Sequence, residues 1–262
     1  MAWLLFMLLA LQSTSLIHGS ASRGLLVAPS ELCVSSSTCK FKHGPAASET
    51  RLFIYGLLNE TEGRGLGLTS RPRKAATVYL AKAAVESCIP GDIVETGTYT
   101  GGTSAMIMRT LMELDDCHRN YWAFDSFAGF PQVSTKDGAG ADIPANLKVG
   151  SQGEFSASQE EFEANLKALK AWDSRIHVVK GFFNDSIPRV ASQISAIAFL
   201  RLDGDLYDST IQPLTLLYDK IPVGGYIYVD DFGSFNGCRR AIEEFRASRG
   251  ITAPMHDPSA RC

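Results

Sequence analysis

The sequence predicts an α/β domain: a largely parallel sheet with helices on both faces. Three observations carry this prediction. Short β-branched or aromatic runs alternate with helical stretches, Gly and Pro punctuate the joints, and two of the runs stop abruptly at aspartates. With 262 residues and 45% apolar content, the chain is long enough for one packed domain with appendages.

The apolar run Trp3-Leu-Leu-Phe-Met-Leu-Leu-Ala-Leu11, followed by His18-Gly-Ser-Ala-Ser22, reads as a secretory signal peptide over 1–22, cleaved near Gly19 to Ser22. The alternatives are a short signal anchor or a misassigned start, the latter making the chain cytoplasmic. Residues 23–70 read as a flexible N-terminal arm, because Ser, Gly and Pro crowd the stretch from 20 to about 50 without periodicity. The domain proper is expected over 71–262. Ala75 to Val85 carries apolar residues at helical spacing until Pro90-Gly91 breaks the pattern. The chain then alternates, with strands expected at 93–95, 121–125, 176–180, 196–202 and 226–229. Helices are expected at 103–114, 162–171, 186–193, 210–220 and 238–248. Ser134 to Ser158 interrupts this rhythm; it is long, charged and Gly-rich, which predicts a lid.

The formal net charge is −3, and no Lys/Arg cluster forms a phosphate-tracking stripe, so nucleic acid is excluded as the expected partner and a small or neutral substrate is favoured. Six cysteines lack CxxC spacing and His companions, which argues against zinc. Cys33 and Cys39 are placed to close a small loop in a lumenal protein. Cys88, Cys117 and Cys238 are expected as free thiols in or beside core elements.

Chemistry concentrates at Phe199-Leu-Arg-Leu-Asp-Gly-Asp-Leu-Tyr207 and Gly224-Gly-Tyr-Ile-Tyr-Val-Asp-Asp-Phe-Gly233. In an open parallel sheet, ligands bind beyond the carboxyl ends of the strands, so Asp203, Asp205, Asp230 and Asp231 converge on one small volume. Carboxylates so close repel unless a cation lies between them, and an all-oxygen donor set suits a divalent metal such as Mg²⁺. Asp208 and Asp231 each have a plainer reading as caps of the turn or helix that follows. Earlier, Glu95-Thr-Gly-Thr-Tyr-Thr-Gly-Gly102 joins a strand to a helix, with glycines that let backbone amides approach a ligand. Such a turn serves NAD, FAD, nucleotides and S-adenosylmethionine alike, and its spacing is not that of the dinucleotide motif. Glu95 before the glycines and Asp125 closing the next strand, where it can accept ribose hydroxyls, favour S-adenosylmethionine. Asp125 also reads as a helix N-cap.

Five segments occur in order: Ile93-Val-Glu-Thr-Gly-Thr-Tyr-Thr-Gly-Gly102, Ala123-Phe-Asp-Ser-Phe-Ala-Gly-Phe-Pro131, Lys180-Gly-Phe-Phe-Asn-Asp-Ser186, Leu202-Asp-Gly-Asp-Leu-Tyr-Asp-Ser-Thr210 and Gly224-Gly-Tyr-Ile-Tyr-Val-Asp-Asp-Phe232. Together they resemble the TylF family, the macrocin O-methyltransferases, from about Arg71 to Met255. The resemblance implies a Rossmann-like class I methyltransferase fold, S-adenosylmethionine and Mg²⁺ as cofactors, and methylation of a sugar or glycoside hydroxyl. It makes Asp203, Asp230 and Asp231 metal ligands and Asp205 the general base. Glu95, Thr96, Gly97, Tyr99, Gly101, Thr103, Asp125, Ser126 and Asp185 fall on cofactor-binding positions, and Gly150 to Phe155 on the lid. A catechol-type methyltransferase and a non-catalytic binding protein on the same fold are the rival readings. The sequence departs from the family after His256, where the last antiparallel strand is expected to be missing, leaving an edge open to a second copy in a homo-oligomer.

Overall fold

The computed structural model describes residues 7–10, 47–138 and 151–256. Five parallel strands form its centre: β2 (Asp92–Thr96), β3 (Tyr121–Asp125), β4 (Ile176–Lys180), β5 (Ile197–Leu202) and β6 (Tyr226–Val229). With β1 (Met7–Ala10) and β7 (Met255–His256), the sheet runs β4-β3-β2-β5-β6-β1-β7. Each central strand sends successive residues to opposite faces, as the two-residue period of a pleated strand requires. Ile93, Tyr121, Ala123 and Phe199 enter one core, with α2 (Arg71–Glu86), α3 (Gly102–Glu113) and α4 (Gln159–Ala168). Val94, Trp122, Phe124 and Leu200 enter the other, with α5 (Phe183–Val190), α6 (Tyr207–Leu217) and α7 (Asn236–Ser248). Both faces are thus dry, which explains why these strands read as nearly continuous apolar runs.

The expected elements form, with several starts shifted. Helices α5 and α6 begin three residues earlier than the apolar pattern indicated. Asp208 consequently lies inside the first turn of α6 rather than capping it, and pairs with Lys136 at 3.2 Å. Part of the stretch read as an arm is structured. Helix α1 (Ala47–Gly63) buries Ile54, Leu57 and Leu58 against Val78 and Met106. Cys88 and Cys117, expected as free thiols, are both disulfide-bonded, whereas Cys238 is free and buried.

The largest departure lies at the sheet edge. The position beside β6 is not open: β1 pairs there antiparallel, Met7 opposite Val229 and Ala10 opposite Tyr226, and β7 pairs with β1 in turn. Residues read as a leader fill the slot for which the C-terminus was expected to lack a strand. Backbone hydrogen bonding asks only for an extended segment of suitable register, so either chain end can satisfy it.

Of the stretch read as a lid, residues 139–150 lie outside the described residues. Its described ends are tied together, since Val133 donates its amide to the Ser151 carbonyl at 2.9 Å, Phe130 donates its amide to the Glu154 carbonyl at 2.9 Å, and Gly153 donates its amide to the Phe130 carbonyl at 3.0 Å. The proposed Cys33–Cys39 loop also falls outside the described residues.

Candidate active site

Strand order reverses between β2 and β5, because β3 and β4 build outward on one side and β6 on the other. The crevice at that switch point opens into a cavity of ≈ 600 Å³. The turn after β2 forms one wall. Gly97 sits at φ +89°, and a Cβ there would lie 1.8 Å from the Asp203 carbonyl oxygen, so only glycine lets the two loops touch. Asp125 organises this turn: its Oδ2 accepts the amides of Thr98 at 2.8 Å and Tyr99 at 2.9 Å, and its Oδ1 accepts that of Phe127 at 2.8 Å. Gly97, Tyr99, Thr103, Asp125, Ser126 and Asp185 all line the cavity. Glu95, Thr96 and Gly101 stand behind the wall instead. The Thr96 hydroxyl bonds the Arg201 carbonyl, and Gly101 packs against Phe162 and Leu166.

Glu95 is fully buried. Its carboxylate accepts the hydroxyls of Ser104 and Tyr121 and meets Arg201 at 3.1 Å. Burial nevertheless holds its carboxyl above the ordinary value. Arg201 is the residue that sequence reasoning passed over. Its side chain has no solvent exposure, and besides Glu95 it reaches Asp203 at 2.5 Å and Asp230 at 3.0 Å. One signal was available: an arginine within the apolar run Ile197–Leu202, where a buried charge requires partners.

The four expected aspartates surround the cavity end of β5 and β6. One carboxylate oxygen from each of Asp203, Asp205 and Asp231 lies within 4.8 Å of the other two. Asp230 stands next to them with both oxygens on guanidiniums, Oδ1 on Arg201 and Oδ2 on Arg73 at 3.1 Å. Arg73 also approaches Asp231 at 3.7 Å and donates to the Ser234 hydroxyl at 2.5 Å. Asp205 adopts the left-handed conformation, φ +61°, which Asp tolerates better than most residues, and its amide donates to Asp231 at 3.2 Å.

Electrostatically the cluster is overloaded. Burial first, then the charges of Asp203 and Asp230, push the Asp205 carboxyl well above the ordinary carboxylate range. Burial and the charges of Asp205, Asp203 and Asp230 do the same to Asp231. Asp230 is pushed up to about 7 by burial and by Asp203, against the pull of Arg201 and Arg73. An excess of hard oxygen donors that repel one another fits a divalent cation of the Mg²⁺ type, since such an ion removes the repulsion and uses oxygen ligands.

Around this acidic floor the rim is apolar and partly exposed, with Leu68, Phe155 and Phe182 lining the mouth and Phe155 edge-on to Phe130 at 5.2 Å. Gly67 and Thr69 join them from the loop between α1 and α2. This loop is held by the buried Lys74, whose Nζ donates to the Leu66 carbonyl at 3.0 Å. Tyr207 points away from the acids and bonds Glu244 at 2.5 Å, while Phe232 is buried beside them. His177 stacks on Trp122 at 4.2 Å, far along the sheet from this site.

Sequence and structure comparisons agree with this geometry. The chain is similar to demethyldecarbamoylnovobiocin O-methyltransferase of Streptomyces niveus, 38% identical over 62% of this chain and 61% of that protein. It therefore spans about three-fifths of that relative's length. A second relative, from Streptomyces olivaceus, is 8-demethyl-8-(2,3-dimethoxy-alpha-L-rhamnosyl)-tetracenomycin-C 4'-O-methyltransferase. It is 31% identical over 68% of this chain and 67% of that protein. Among solved structures, the O-methyltransferase NovP superposes with a TM-score of 0.62 at 32% identity, covering 70% of this chain and 74% of that one. The fold is the class I methyltransferase fold. The family profile described as macrocin-O-methyltransferase (TylF) matches residues 65–261, and the chain belongs to that family.

Proposed function

We propose that this protein is an S-adenosylmethionine- and Mg²⁺-dependent O-methyltransferase acting on a hydroxyl of a sugar or glycoside. The observation that carries the reading is the juxtaposition, in one cavity, of the Gly97–Tyr99 turn with the carboxylates of Asp203, Asp205 and Asp231. A sugar hydroxyl is a weak nucleophile because its alkoxide is unstable in water. A bound divalent cation stabilises that developing charge. Asp203, Asp231 and Asp230, the last steadied by Arg201, form the donor set that holds the cation. Asp205, two residues beyond Asp203, accepts the hydroxyl proton. The glycine turn and Asp125 hold the methyl donor; with three amides already accepted, the Asp125 carboxylate has one lone pair left, on Oδ1, to accept a ribose hydroxyl. Holding donor and acceptor near contact supplies much of the acceleration, roughly 7–11 kcal/mol in favourable cases. The rhamnosyl acceptor in the Streptomyces olivaceus relative's name supports a sugar over a catechol.

The proximity of Asp205 to Asp203 and Asp231 favours a second reading, in which Asp205 is itself a ligand. The cation affinity of Asp205→Asn separates the two. We place the protein in the secretory pathway, on the leader-like first residues and the disulfide-bonded Cys88 and Cys117. N-terminal sequencing of protein recovered from the medium, showing an end near residue 20, is the expected result. The decisive experiment for function is transfer of labelled methyl from S-adenosylmethionine to a panel of glycosides, with and without EDTA. Transfer that survives exhaustive EDTA removes the cation from the reading, and cofactor binding without any transfer leaves a binding protein.

A further inference from the structure

Helix α6 starts two residues after Asp205, and its N-cap residue is Leu206, which has no side chain able to accept the first amides. The missing acceptor arrives from elsewhere in the chain. Asp137, buried and 70 residues away in sequence, accepts the Tyr207 amide on Oδ1 at 2.6 Å. Its other oxygen, Oδ2, accepts the amide of Ser134 at 2.8 Å and the Ser134 hydroxyl at 3.0 Å, so the carboxylate is anchored by its own turn. A hydrogen bond to an ionised acceptor is shorter and stronger than a neutral one, which suits a single contact that has to hold a helix start.

The same contact touches the second acid-bearing loop. Helix α7 follows the Asp230–Asp231 turn, where the Asp231 carbonyl accepts the amides of Ser234 and Phe235, each at 2.9 Å. In its first turn, a Cβ added at Gly237 would lie 2.5 Å from Asp137 Oδ1 and 3.0 Å from the Tyr207 nitrogen. The α7 backbone is therefore packed directly against the Asp137–Tyr207 hydrogen bond. Both acid loops run into helices whose first turns meet at one carboxylate.

We infer that Asp137 is a positioning residue: it locks the Asp203–Asp205 loop to the Asp230–Asp231 loop and so sets the spacing of the carboxylates. This rests on the cation reading proposed above. Without the lock, the left-handed Asp205 has one fewer restraint: the Asp205 amide to Asp231 contact, the Asp230 amide to Leu202 carbonyl bond and the Arg201 bridge between Asp203 and Asp230 remain, but none of them caps the first turn of α6.

The test uses the full-length protein and three readouts. Calorimetry with MgCl₂ should show affinity weakened by about 10-fold in Asp137→Asn, the scale of impairing a hydrogen bond to a charged acceptor. The value of kcat should fall in step, with KM for S-adenosylmethionine held within about 2-fold, since the cofactor turn is untouched. The Tyr207 amide proton, followed by NMR, should move upfield and exchange faster. Gly237→Ala attacks the same contact from α7 and keeps Asp137. Ala normally stabilises a helix relative to Gly, so weakened Mg²⁺ binding in that variant would run against local propensity and support the lock. Unchanged Mg²⁺ affinity in both variants overturns this inference alone. No Mg²⁺ binding by the unaltered protein overturns the cation reading and this inference with it.

Discussion

Aspartates gather at both ends of this sheet, yet of these two gatherings one lines the cavity and the other does not. At the end where the strands begin, Asp92 accepts the Asn120 amide at 3.0 Å and the Trp122 indole at 2.8 Å, and Asp116 pairs with Arg119 at 2.9 Å. Asp173 is held by Arg175. Burial pulls its carboxyl up, but the Arg175 hydrogen bonds outweigh that and keep it below the ordinary value. At the end where the strands finish, Asp203, Asp230, Asp231 and Glu95 share Arg201 and Arg73 with Asp205 set beside them, and the carboxyls of Asp205, Asp230 and Asp231 are all driven upward. Residue type is the same at the two ends. What differs is compensation: the first acids are matched by donors, whereas the second are in surplus and have the donor chemistry that suits a cation.

Substitutions at the two ends should therefore diverge. The largest effect is expected for Asp205→Asn, which should lower methyl transfer by a factor on the order of 10²–10⁴ while calorimetry finds cofactor and Mg²⁺ affinity retained. Mg²⁺ affinity as badly damaged as in Asp203→Asn would instead make Asp205 a ligand. Next comes Arg201→Met, which strands the buried Glu95 and Asp230 together with the half-buried Asp203 and should cost about 3–5 kcal/mol in urea unfolding. Arg119→Met at the other end, where the ion pair is partly solvated, should cost about 1–3 kcal/mol; equal losses would erase the distinction between the ends. Asp125→Ala should weaken S-adenosylmethionine by roughly 1.5–3 kcal/mol, with Asp92→Ala leaving that affinity unchanged.

The smallest effect is a pH dependence. Asp230 rises from 3.8 in the unfolded chain to about 7 when folded, and a raised carboxyl contributes stability that is complete below the unfolded value and lost as pH climbs through the folded one. Asp205 and Asp231 act in the same direction. EDTA-treated protein should thus lose stability between about pH 4 and about 7 from this cluster, and Mg²⁺ should raise the melting temperature more at pH 8 than at pH 5. An equal Mg²⁺ shift at both pH values would show that the acids are not the source.

Much of this was written locally in the sequence. The parallel strands were legible because each is a short apolar run bounded by turn residues, and the aspartates because they follow such runs directly. Arg201 was not legible as a hub: Glu95 and Asp230 lie 106 and 29 residues from it, and only strand order brings them together. Asp137 was hidden for the same reason, its partner lying in another helix. Helix α1 was missed because the Ser- and Gly-rich stretch before it coloured the reading of its Ile54, Leu57 and Leu58 stripe, although that spacing is helical. Met7–Ala10 was ambiguous in itself, since four apolar residues suit a leader core and a buried strand equally well.

That last ambiguity has a consequence for maturation. Strand β1 is the bridge between β6 and β7; among the described residues, β7 has no other strand partner. A cut near residue 20 would therefore subtract two strands rather than one, leaving the five parallel strands with Tyr226–Val229 as a bare margin. That margin leads straight into Asp230, so trimming the far end of the chain would loosen the backbone that presents an acid of the site. Precursor and trimmed protein would differ in rigidity while sharing every site residue, and faster hydrogen exchange at Ile227 and Val229 after trimming would be the signature.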